Sequence, residues 1–251
     1  MDDMFLSFQM RRTPSEKMTK ARKDKKERFH RDGSTATVCL IVDNDAYIAY
    51  VGDSCPVAFK TNDENLQFGD VHNTSNPDEV KRVLEAGGKV RRQGEVGADQ
   101  GSLLTFCFQM GRSAAPLRIS PGGLLVTRAF GDFQAKMDKY GGLPNLILSS
   151  FDQVHHVKID DNVEQIILAS DGIWDAMSAG DVRVCVNRTA LAEQGRPAGN
   201  IFSSLVHQLL QEAIIHPYWA RKSSTPDNAT AVLIHFHTKA TTRRFADILR
   251  C

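Results

Sequence analysis

Cysteine is scarce and unpatterned in this chain. Five residues, Cys39, Cys55, Cys107, Cys185 and Cys251, stand far apart, odd in number and never as Cys-x-x-Cys. That leaves no disulfide framework and no thiolate zinc centre to read, and it favours a reducing compartment, cytoplasm or nucleus. Long apolar runs are missing too. No stretch approaches the roughly 18 residues that span a bilayer, and Met1-Asp-Asp-Met-Phe5 lacks the basic start of a secretory leader. An excess of one charge is also absent: a net charge of +1 predicts no general attraction to nucleic acid or to an acidic membrane. Internal repeats and low-complexity tracts do not occur. What remains is ordinary globular stock, 251 residues with 41% hydrophobic and 24% charged, enough for one sizeable core. Nothing in it sets the oligomeric state.

Residues 11–31 carry ten Lys/Arg against three acidic residues with only a feeble apolar stripe, so an exposed charged helix or linker is expected there. From Thr35 the texture turns to β. The runs 35–42 and 46–51 are branched and aromatic and flank Asp43-Asn44-Asp45, the composition of a hairpin. Asn76-Pro77 then predicts a helix start, with Val80, Val83 and Leu84 on one face and Gly87-Gly88 ending it. Residues 91–122 are mixed, and 103–108 could form a strand within an inserted loop. Short apolar pieces follow at 124–127, 146–148 and 154–159, a strand at 165–170, helices at 179–189 and 201–215, and a last strand at 229–236. Strands arriving as neighbours, with helices between groups, predict an α+β fold built on antiparallel sheet.

Carboxylates at strand ends carry the chemistry. A hard divalent cation needs rigidly held oxygen ligands, and a strand terminus beside a glycine turn holds a carboxylate in that way. Gly131-Asp132, Ser170-Asp171-Gly172-Ile173-Trp174-Asp175 and Asp227-Asn228 have this form. In the second, Gly172 is expected to let the backbone turn tightly after the strand, so that Asp171 and Asp175 project into one space while Trp174 anchors the turn. His155, His156, His235 and His237 read as strand-face residues, and Trp174 and Trp219 as core anchors. Gly52-Asp-Ser54 has the outline of a hydrolase nucleophile, but Cys55-Pro56 follows where glycines of an oxyanion hole would stand, and a turn is the better reading.

Six motifs in order then resemble one family, the metal-dependent protein serine/threonine phosphatases of the PPM or 2C type. They are Asp32-Gly-Ser-Thr-Ala36, Tyr50-Val-Gly-Asp-Ser54, Ser75-Asn-Pro77 with Glu85-Ala-Gly-Gly88, Thr127-Arg-Ala-Phe-Gly-Asp132, Leu168-Ala-Ser-Asp-Gly-Ile-Trp-Asp175 and Asp227-Asn-Ala-Thr230. The resemblance implies an antiparallel β-sandwich flanked by helices, with a pair of Mn²⁺ or Mg²⁺ ions at one edge. It implies Asp171 and Asp227 as ligands of that pair, and Asp132 and Asp175 as ligands of a weaker third ion. The implied reaction is hydrolysis of phosphoserine or phosphothreonine in protein substrates by a metal-activated water, without a phosphoenzyme. It also divides the chain into the phosphatase domain at 32–236, a charged helical segment at 1–31 that belongs to the same domain, and a tail at 237–251. The family's strand ending in Asp-Gly-His-Gly-Gly has no counterpart here, nor has its phosphate-gripping Arg. On this reading the chain lacks the N-terminal part of the domain, holds Mn²⁺ weakly and is prone to self-association. A catalytically inactive regulatory or interaction module is the rival reading.

Overall fold

The computed structural model describes residues 32–92, 116–193, 198–222 and 225–236, with the backbone alone for 198–200. The expected charged helix at 1–31, the strand at 103–108, His237 and the tail lie outside the described residues. In chain order the strands are β1 (Gly33–Ser34), β2 (Ala36–Val42), β3 (Asp45–Val51), β4 (Cys55–Lys60), β5 (Asn65–Gln67), β6 (Lys89–Arg92), β7 (Leu117–Ser120), β8 (Phe130–Gly131), β9 (His155–Lys158), β10 (Val163–Ala169) and β11 (Ala231–His235). The helices are α1 (Pro77–Glu85), α2 (Phe133–Lys136), α3 (Asp171–Trp174), α4 (Ala179–Ala192), α5 (Ala198–Ile215) and α6 (Pro217–Arg221). They fall into two compact units. The first holds 32–36, 51–53, 71–92 and 116–152, and the second holds the other described residues.

The second unit is layered. A four-stranded sheet runs in the order β11-β10-β4-β5 and a three-stranded sheet in the order β2-β3-β9. The pairings β10–β11, β4–β10, β4–β5 and β3–β9 are all antiparallel, as the sequence pattern predicts. Alternation along each strand decides the layers. Ala46, Ile48 and Tyr50 of β3, Val157 of β9, Ala58 of β4 and Ile166 of β10 fill the space between the sheets. Val57, Phe59, Ile167 and Ala169 point the other way, against Val182, Cys185, Val186, Leu205 and Leu209 of α4 and α5. Each fully buried Ile or Leu there contributes about 1.5–3 kcal/mol of transfer free energy. Helix α4 starts with a reciprocal cap: Ser178 Oγ accepts from the Asp181 amide at 3.2 Å, and the Asp181 carboxylate accepts from the Ser178 amide at 2.9 Å.

Strand β4 is central yet was not legible, because Ser54-Cys55-Pro56 has the composition of a turn. Pro56 is tolerated near the start of the strand, before Val57, where pairing with β5 begins. The hairpin of β2 and β3 turns through two residues, Asp43 and Asn44, with Asp43 in the left-handed region at φ 53°.

In the first unit, α1 begins as its sequence predicts. The Asn76 side chain accepts from the Asp78 and Glu79 amides, and Pro77 occupies the first turn, where its missing N–H costs nothing. Its inner face puts Val80 and Val83 on Val90 of β6, Ile119 of β7 and Leu146. Strands β6 and β7 pair antiparallel, and β1 pairs with β8 through Gly33 and Gly131. The apolar pieces at 124–127 and 146–148 form isolated bridges here, Asn73 with Val126, Ile119 with Leu124 and Arg128 with Leu148, and not strands.

Candidate functional site

The end of the four-stranded sheet assembles the carboxylates of the second unit. Because β10 and β11 run antiparallel with Ala169 opposite Ala231, the residues just after one strand and just before the other emerge together. Ser170 ties these ends. Its amide donates to the Thr230 carbonyl at 3.0 Å, and its Oγ accepts from the Thr230 amide at 3.0 Å. Asp171 therefore opens α3 beside the segment that carries Asp227. Asp175 follows one turn later, its amide bonded to the Asp171 carbonyl at 2.8 Å.

Gly172 has a different reason from the one its sequence suggests. It lies in the helical turn of α3, not in a reversed backbone. A Cβ at this position would stand 2.4 Å from the Asn228 carbonyl oxygen, so only glycine lets the Asp227-Asn228 segment come this close. Trp174 fixes the same turn, as expected, by donating its indole N–H to the carbonyls of Cys55 and Ala169, each at 2.9 Å. Trp219 is buried, and donates to the Ala213 carbonyl at 2.8 Å.

These carboxylates repel one another. Burial, and then the charge of Asp227, hold the Asp171 carboxyl above the usual aspartate range, although Asp171 Oδ1 accepts from the Gly172 amide at 2.9 Å. Asp175 is raised by desolvation and then by Asp171, with Lys222 and the Tyr218 hydroxyl pulling the other way. Its side chain is open to solvent, so the neighbouring charge is the firmer of the two causes.

Asp132 belongs to the first unit. Only 7% of it is exposed, its backbone is left-handed at φ 51° and ψ 39°, and its amide donates to the Asp32 carbonyl at 2.9 Å. The carboxylate lies flat against Gly33, where an added Cβ would fall 1.9 Å from Oδ2. Asp32-Gly33 and Gly131-Asp132, distant in sequence, thus form one cradle.

Among the described residues, no group of three or more His, Cys, Asp or Glu is arranged to hold a metal ion. The donors that do converge are all oxygen, and their mutual repulsion is what a hard divalent cation would relieve, so the set fits such an ion in kind, with water completing its shell. Of the histidines read as strand-face residues, His155 and His156 lie on β9 and His235 on β11. His156 pairs with Asp45, and the His155 ring lies 6.1 Å from that of Tyr50. Sequence reasoning missed the buried Glu79 of α1 and its two arginines. The available signal was a charged residue on the inward face, adjacent to Val80.

Residues 3–214 match the family described as protein phosphatase 2C. A probable protein phosphatase of Drosophila melanogaster is 27% identical over 82% of this chain and 26% of its own length. Among solved structures, a Caenorhabditis elegans sex-determining protein shares the fold with a TM-score of 0.61 at 22% identity, over 98% of this chain and 53% of that one. A serine-threonine phosphatase 2C from Toxoplasma gondii does so with a TM-score of 0.55 at 22% identity, over 94% and 66%. The chain spans about a quarter to two fifths of the length of the curated relatives it matches. With its motifs in order, its antiparallel α+β fold and a family match over most of its length, the chain belongs to the protein phosphatase 2C family.

Proposed function

We propose that this chain carries the metal-binding part of a protein phosphatase that hydrolyses phosphoserine and phosphothreonine in protein substrates. The observation that carries the proposal is the convergence of Asp171, Asp175 and Asp227 at one end of the sheet, in a chain of this family. Asp171 and Asp227 are assigned as ligands of a pair of Mn²⁺ or Mg²⁺ ions. Asp175, and separately Asp132 in its glycine cradle, are each assigned by motif as ligands of more weakly held metal. When bound, the ions lower the pKa of a water and neutralise charge on the phosphoryl oxygens.

The chain's own part is to hold oxygen ligands still. The Ser170 bridge fixes the separation of the segments bearing Asp171 and Asp227, Gly172 permits their closeness, and Trp174 prevents the turn from rolling. No helix among the described residues is long and apolar enough to cross a membrane. The substrates proposed are phosphoproteins, and neither nucleic acid nor lipid is needed.

The test is release of phosphate from a phosphothreonine peptide, with Mn²⁺ or with chelator, by this chain and by its Asp171→Asn variant. Release that needs Mn²⁺ and falls at least about 100-fold in the variant is the expected result. Release indifferent to Mn²⁺, or equal in both proteins, would sink the proposal.

A further inference from the structure

We infer that Glu79 is a positioning residue, which through Arg128 and Arg82 sets the segment presenting Asp132; this rests on the ligand role proposed above for Asp132. Glu79 lies on α1, is 5% exposed, and takes two arginines, Arg82 from the next turn of the same helix and Arg128 from the segment before β8. Arg128 donates Nη2 to its Oε1 at 2.7 Å and Nε to the same oxygen at 3.1 Å. Arg82 donates Nη2 to Oε2 at 2.9 Å. A carboxylate satisfied from two sides by planar guanidinium forks has little freedom to shift, and it fixes both forks in return.

The forks then grip backbone. Arg82 Nη2 donates to the Thr127 carbonyl at 2.9 Å, and its Nη1 to the Asn145 carbonyl at 2.6 Å. Arg128 Nη1 reaches the Ser150 carbonyl at 3.3 Å. One residue on, Lys136 Nζ donates to the Ala129 carbonyl at 2.7 Å and to Ser149 Oγ at 2.6 Å. Residues 127–129 are thus held by three cations, and Glu79 is the anion between two of them. The same segment runs directly into β8 and the left-handed Asp132, a conformation that persists only where the surroundings over-determine it. A buried carboxylate without its partners is costly, and the two half-buried guanidinium groups lose their aim without their carboxylate, so the three groups act as one clamp.

The role is distinct from simple support of the core. The apolar contacts of α1, through Val80 and Val83, go to Val90, Ile119 and Leu146, and a Glu79→Gln variant leaves them in place. What the variant removes is the charge that holds the forks aimed at the 127–129 backbone.

Hydrogen exchange by mass spectrometry on the whole chain tests this, with Glu79→Gln and, as the milder variant, Arg82→Lys, which keeps the charge and loses the fork. Amides of residues 127–133 are expected to exchange at least about 10-fold faster in Glu79→Gln and at least about 3-fold faster in Arg82→Lys. Those of β6, β7, β10 and β11 should stay within 2-fold of the parent. Unchanged exchange at 127–133, or an equal rise throughout β6 and β7, overturns the inference, since the first shows no clamp and the second only a general loss of stability. Mn²⁺ added to the parent and to Asp132→Asn separates the two readings. Slowing at 127–133 in the parent alone supports the ligand role of Asp132, and slowing in neither or equally in both overturns it, while the clamp is judged on the metal-free data.

Discussion

Two carboxylates of this protein live in opposite surroundings. Glu79, inside the first unit, is surrounded by cations and held down to about 2, although burial alone would raise it. Asp171, at the end of a sheet in the second unit, is raised by burial and by a second carboxylate. The chain supplies counter-ions to Glu79, whose charge holds structure together, and withholds them from Asp171, for which the proposed role is to receive a cation from solution. A carboxylate left unbalanced at a rigid place is therefore a better guide to function than a carboxylate that is merely buried.

The comparison can be broken in four ways. Glu79→Ala leaves two half-buried guanidinium groups without their carboxylate and is expected to cost about 3 kcal/mol, lowering the melting temperature by about 6 °C or more. A loss under about 1 kcal/mol would show that the cluster is well solvated. Acid should reveal the same carboxylate. Its folded pKa lies below the unfolded value of 4.5, so its stabilising effect is complete above that pH and disappears as the pH falls towards about 2. The parent should lose about 2 kcal/mol more than Glu79→Gln across this window in denaturant titrations, and parallel curves would contradict the assignment.

Gly172→Ala comes next. Alanine is the better helix former by about 1 kcal/mol. Its methyl, however, meets the Asn228 carbonyl, so a net loss of about 2 kcal/mol and weaker Mn²⁺ binding are expected. A rise in stability would show that the two segments are not so close. The smallest effect has the opposite sign. Because the Asp171 pKa is raised in the folded state, folding is favoured with its proton on, and that advantage is lost as pH rises through the folded pKa. Metal-free Asp171→Asn should therefore melt about 1–2 °C higher than the parent at pH 7, and no higher at pH 3. Mn²⁺ should erase the gain by stabilising the parent alone, and a variant that melts lower at pH 7 would refute the repulsion.

Local signals made part of this legible in advance. Asn76-Pro77 and Gly87-Gly88 delimit α1 because capping acts within a few residues, and Ile166 to Ala169 read as a strand because every one of these residues is apolar and suits a two-sided core. Pairings between distant segments were not legible. Nothing near Glu79 announces Arg128, and nothing near Gly172 announces the Asn228 carbonyl, since both are products of the tertiary fold. The short helices α2 and α6 were missed because four or five residues offer no period to detect. Asp171, Asp175 and Asp227 were found by motif, and the structure adds why they sit uneasily together.

The register of β10 against β11 has a last consequence. Ala169 faces Ala231 and Ser170 is tied to Thr230, so the point where the segments of Asp171 and Asp227 leave the sheet is set by register and does not depend on the length of chain that connects them. The helices between can lengthen, shorten or acquire new surface without disturbing this end of the sheet. A single residue inserted within either strand would turn alternate side chains inside out and carry one aspartate away from the other.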